Sequence, residues 1–197
     1  MSVSLFRTAL AFAIALMLGG CVVGQSIEMV PASSPQASSA IDSQNIQVKD
    51  ERTYVVSGDK APYYIGKYRA GLGIPYDVTT DGNVPLSELI KSALTERLRT
   101  SGYEGSKVQI AVSIRDWNFD AYQNGKFTYD LMVSATAPGF QSAKTETLRE
   151  TIIVKGTFMT GGKGGFERDM PGIFKRVMDR LVAPGSAVHD AMTSSPQ

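Results

Sequence analysis

The chain has very few of the side chains that most enzymes of its size rely on. Its 197 residues include one cysteine, Cys21, one histidine, His189, and one tryptophan, Trp117. A single cysteine excludes an internal disulfide and any zinc site built on several thiolates. A single histidine excludes a multi-histidine metal centre. With that imidazole close to the C-terminus, a Ser-His-Asp or Cys-His arrangement has no plausible geometry. Charge of one sign is lacking too: 20 basic side chains stand against 19 acidic ones. That balance gives neither a basic footprint for nucleic acid nor an acidic tail. The apolar run Thr8–Leu18 falls short of the ~20 residues that span a bilayer. No motif calls for a cofactor.

What is present begins with that run. Met1–Arg7 carries one charged side chain, an apolar stretch follows, and Gly19-Gly20-Cys21 closes it. This is the build of a secretory signal peptide, with small residues at the cut. Leu18-Gly19-Gly20-Cys21 resembles the lipobox of bacterial lipoproteins. The resemblance implies cleavage after residue 20 and a covalent lipid on Cys21, by diacylglyceryl transfer and acylation. A lone exposed thiol in an oxidising compartment would be a liability, and two or more acyl chains anchor stably where one binds marginally. Val22, in place of an Asp, resembles the outer-membrane sorting pattern and implies a domain facing the periplasm. Losing Arg7 with the leader leaves basic and acidic residues equal in number.

Residues 21–44 read as the lipidated Cys and a Ser/Pro/Ala-rich tether. The expected domain covers 45–190, and 191–197 are expected to be a disordered tail. Ile46–Val56 reads as a strand bent at Asp50-Glu51-Arg52, and the Tyr/Gly-rich 63–76 as one or two short strands. The apolar stripe Leu86, Leu89, Ile90, Ala93, Leu94, Leu98 predicts a helix over 85–101. Val108, Ile110, Val112 and Ile114 alternate as a half-buried strand, while Phe127–Ala135 is its return. A two-residue turn at Asn124-Gly125 would set Ile114 opposite Ala135 and Asp116 opposite Val133. Apolar parity is even up to Ile114 and odd from Trp117. That predicts either a β-bulge near 115–117 or a hairpin tip projecting beyond the core. A third strand is expected over 145–159, a loop at the GGKGG of 161–165, and a last helix over 169–183. GGKGG departs from the phosphate-loop pattern, since Gly164 follows Lys163 where Ser or Thr is needed.

The order β-α-β-β-β-α predicts an α+β two-layer sandwich: a mainly antiparallel sheet of about four strands with two helices on one face. From Asp50 onward the pattern resembles the YajG-type lipoproteins of Gram-negative bacteria. The matching features are the Asp50-Glu51-Arg52 triplet, Leu86–Gly102 ending in Arg99-Thr100-Ser101-Gly102, the hairpin with Asp120, Ala121, Asn124, Gly125 and Tyr129, and a closing helix. That resemblance implies an envelope lipoprotein and carries over no catalytic or cofactor residue.

Asp50 and Arg52 share a face of a regular strand and are the candidate structural ion pair. Asp116 and Asp120 read as a solvated hairpin face rather than an acid/base pair. The aromatics Trp117, Phe119, Tyr122 and Phe127 at the hairpin, with Tyr63 and Tyr64 in the segment before, read by default as core filling; where exposed they are the candidate interaction surface, since exposed apolar patches mark interfaces. The expected function is that of a non-catalytic accessory module held at the outer membrane, with the bilayer and an envelope protein as partners. The alternative is a binder or carrier of a small lipid or glycan in a cleft between sheet and helices.

Overall fold

A computed structural model describes residues 25–29, 45–69, 75–103, 107–121, 124–156 and 161–194. Cys21, its leader and Tyr122 lie outside them. The strands are β1 (Gln25–Ile27), β2 (Ile46–Asp50), β3 (Tyr64–Arg69), β4 (Pro75–Thr80), β5 (Gln109–Ala121), β6 (Gly125–Thr136) and β7 (Lys144–Val154). The helices are α1 (Thr53–Val56), α2 (Leu86–Thr100), α3 (Gly161–Leu181) and α4 (Ala187–Ser194).

These elements correct the expected four-stranded antiparallel sandwich. Among the described residues the sheet has seven strands, in the order β1-β4-β3-β5-β6-β7, with β2 pairing to β5 as well. It is mixed: β2 and β3 both run parallel to β5, and β1 runs parallel to β4. The extra strands come from two places. Segment 64–80, which runs past the expected 63–76, supplies the antiparallel pair β3–β4. Residues 25–27, read above as tether, add β1, and α4 extends to Ser194 inside the expected tail.

Strand β5 organises the sheet because it is long enough to take two neighbours on one edge. β2 pairs with Ile110–Ile114, and β3 takes up the same edge at Phe119–Ala121. The chain leaves the sheet between them through the single turn of α1. On its other edge β5 pairs with β6, and the register shifts between Ile114 and Asp116. This is the bulge alternative read from the parity switch, with Arg115 as the extra residue. It turns Trp117, Phe119 and Ala121 back to the face that carries Ile110, Val112 and Ile114, so all six are buried. The turn differs from the two-residue expectation: Ala121 pairs with Gly125, and Ile114 sits opposite Leu131 rather than Ala135.

One sheet face is covered. Leu86, Ile90, Leu94 and Leu98 of α2 and Phe166, Met170, Phe174, Val177 and Leu181 of α3 are buried in one cluster with the inward strand residues. α2 packs on β2, while α3 and α4 pack on β6 and β7. The GGKGG segment is not a loop but the first turns of α3. Gly165 explains why glycine suits this place. A Cβ there would collide with the Lys155 carbonyl oxygen just beyond β7, so only glycine lets the helix come this close to the backbone.

Candidate functional site

The gap between β2 and β3 leaves part of the β5 edge without a strand partner, and a buried cation fills it. Arg52 leaves β2 two residues after Asp50, and its side chain is fully buried. Its Nε donates to Asp50 Oδ1 at 2.8 Å and its Nη2 to Asp50 Oδ2 at 2.6 Å, a two-pronged ion pair. The remaining N–H groups reach main-chain carbonyls: Tyr64 O at 2.5 Å, Pro62 O at 3.0 Å and Trp117 O at 3.4 Å. All five guanidinium donors therefore have acceptors, as a buried arginine requires. The Tyr54 hydroxyl donates to the same Trp117 carbonyl at 3.0 Å.

Burial opposes the Arg52 charge, but the Asp50 carboxylate and Tyr54 more than offset it, and the guanidinium pKa ends raised. Burial also raises the Tyr54 phenol, against the pull of Arg52. Tyr64 packs edge-to-face on Tyr54 at 5.5 Å, with Lys60 Nζ 4.9 Å from its ring centre. The sequence-predicted pair Asp50 and Arg52 thus meet here with Tyr64, and the cluster stitches two strands onto one edge. Every guanidinium donor is used within the fold.

The aromatic surface expected at the hairpin is not a surface. Trp117, Phe119 and Phe127 are each 0% exposed. Trp117 meets Phe127 at 5.1 Å and Phe174 at 5.8 Å between ring centres, and Phe119 stacks on Phe166 at 3.6 Å. The bulge is the reason: it re-aims the odd positions inward, under α3. Tyr64 is buried too, and Tyr63 is half-buried. Gly66 sits against this cluster with φ of 151°, and a Cβ there would come within 2.6 Å of Phe119 N.

Pattern reading missed two further networks. Tyr129, on the inner face of β6, donates to Glu150 Oε2 at 2.9 Å, while Arg180 Nη1 reaches the phenol oxygen at 2.8 Å and Glu150 at 2.7 Å. Burial, with Glu150 beside it, pushes the Tyr129 phenol up to about 12. The strand period already placed Tyr129 inward; its helix partner belonged to a register no pattern specifies. The second network is on the helix-free face, where Asp120 faces Lys67 at 3.3 Å and Arg69 at 3.6 Å. Lys126 lies directly opposite Asp120 across β5–β6.

His189 is engaged by the Tyr103 hydroxyl at 2.9 Å. Among the described residues no three His, Cys, Asp or Glu side chains come together as metal ligands, and no helix is long and apolar enough to cross a membrane.

No family model matches the chain, and no curated protein matches it. A crystal structure of a DUF330 protein from Xanthomonas campestris is similar over 80% of this chain and 91% of its own, at 14% identity and a TM-score of 0.43. A second crystal structure, of an uncharacterized protein, is similar over 81% and 92%, at 8% identity and a TM-score of 0.37. At these scores neither likeness assigns a fold or a function to this chain.

Proposed function

We propose that this chain is a lipid-anchored, non-catalytic protein of the bacterial envelope, whose α+β domain is held against a membrane as an accessory module facing the periplasm. The observation that carries the reading is the Leu18-Gly19-Gly20-Cys21 sequence standing immediately before the first strand. Gln25 already pairs with Val78, so only residues 22–24 separate the sheet from the thiol. Four backbone steps reach at most about 14 Å. The anchor therefore holds the domain at the bilayer surface instead of at the end of the long tether expected from composition. The non-catalytic part rests on the polar clusters: Arg52 and Tyr129 are committed to internal partners, and the His189 ring faces Tyr103.

The test is the intact mass of the protein isolated from the membranes of a Gram-negative host. The expected product begins at Cys21 and carries diacylglycerol plus an N-acyl chain, while Cys21→Ala yields uncleaved or unlipidated protein. A wild-type product cut elsewhere with a free thiol overturns the anchor. The accessory role is checked separately, by photo-crosslinking from exposed Phe140 in cells. One defined envelope protein recovered from wild type and lost in Cys21→Ala is expected.

A further inference from the structure

Strand β1 enters the sheet in a definite direction. It runs parallel to β4, with Gln25 beside Val78 and Ile27 beside Thr80. β1 therefore begins toward the end of the sheet where β4 begins, at Pro75. The same end holds the last residue of β3, Arg69, opposite Pro75, the end of β5 at Ala121 beside Tyr68, and the start of β6 at Gly125 opposite Val154 of β7.

What this end presents differs from the rest of the near-neutral chain. Lys67, Arg69 and Lys126 lie on its helix-free face, and Lys155 follows β7. Asp120 is shared by Lys67 and Arg69, and Asp77 is taken by Lys60 at 2.6 Å. On the sheet itself, cations exceed free carboxylates. Tyr68 and Tyr76, stacked at 5.2 Å between ring centres, lie on the opposite face, with Tyr68 against the core. Ile153, 62% exposed, stands beside Lys126 on the neighbouring strand. Basic side chains attract anionic headgroups, and an exposed apolar side chain beside them can enter the headgroup boundary.

We infer that this end of the sheet, with Lys67, Arg69, Lys126 and Ile153 on its helix-free face, is what the domain lays against the phosphate headgroups of the bilayer. The inference rests on the lipid-anchor reading, and it adds an orientation. The β6–β7 turn, with Phe140 53% exposed, points away. A twelve-residue β6 separates the two ends by roughly 40 Å, more than a headgroup layer.

The experiment uses the lipidated protein in vesicles of three parts phosphatidylethanolamine to one part phosphatidylglycerol. Acylation consumes Cys21, so Ile153→Cys or Phe140→Cys supplies a single thiol for an environment-sensitive fluorophore, with nitroxide-headgroup lipid as quencher. Quenching several-fold stronger at position 153 than at 140 is expected. Adding Arg69→Glu and Lys126→Glu should bring it down toward the value at 140. Both charges are exposed, so a far-UV spectrum and midpoint like the parent's should confirm that the variant folds. Equal quenching at the two ends, or stronger quenching at 140, in protein whose intact mass shows the lipid overturns the orientation alone. Absence of lipid from that mass overturns the anchor and the orientation together.

Discussion

Arg52 is the residue on which two strands depend. Its replacement by Met removes the charge while keeping much of the stem. The Asp50 carboxylate, 10% exposed, and the Tyr64 and Pro62 carbonyls then lose their donor. A broken buried pair costs about 3–5 kcal/mol, so Arg52→Met should lower the urea midpoint sharply. Adding Asp50→Asn should recover part of the loss, because the stranded charge goes too. If Arg52→Met alone leaves the midpoint unchanged, the guanidinium does not hold the junction. Trp117 carries a second prediction at this scale. Trp117→Ala should cost about 3–5 kcal/mol, as for other large buried aromatics. Trp117→Phe should cost clearly less, since the indole Nε1 it removes has no hydrogen-bond partner among the described residues. Equal losses for Ala and Phe in thermal melts would contradict this.

Elements show where the sequence was legible and where it was not. The stripe of α2 was readable because one helix face meets one core: the expected 85–101 became Leu86–Thr100. The bulge was readable because strand parity has a period of two, and a switch from Ile114 to Trp117 needs an extra residue. The consequence of that bulge was not readable. Parity does not say whether Trp117 returns to the core or overhangs it; the cover comes from Phe174, more than fifty residues away. β1 and the first turns of α3, ahead of the expected start at 169, were missed for another reason. Three residues of Gln-Ser-Ile and a glycine-rich helix start have no local pattern, and both exist because a neighbouring backbone is in position to receive them.

The α4–β7 contact makes a prediction about pH. Glu146 of β7 is partly desolvated, and burial raises its carboxyl above the usual range although the Ala187 N–H works against the shift. One of its oxygens is buried without a partner. A group that holds its proton more tightly folded than unfolded stabilises the fold at low pH. That contribution fades as pH rises from the unfolded carboxylate value through the raised folded one. Glu146→Gln should therefore raise the melting temperature at pH 7 and change it least below pH 4. Melting curves across that range check it, and an equal shift at both ends would show that titration is not the cause.

At the scale of the molecule, the inward faces of β1 through β7 and the helices α2, α3 and α4 contribute to one buried cluster. Nothing divides it into separate cores, so the domain should unfold in one step. Trp117 fluorescence, which reports the middle of β5, and far-UV circular dichroism, which reports all elements, should give superimposable urea transitions. Two resolved transitions would mean that the β3–β4 pair or α4 folds on its own.

The shortness of β1 has a mechanical side. Three residues hold β1 in register against β4, and the next strand along the chain is β2 at Ile46. With the anchor proposed on Cys21 in place, tension between bilayer and domain would load this small clasp first, along the strand direction. While it held, the leash would be the few residues after Cys21. Once it slipped, the leash would lengthen to every residue between Cys21 and Ile46. The protein would then have two standing distances from its membrane, separated by one short parallel pairing.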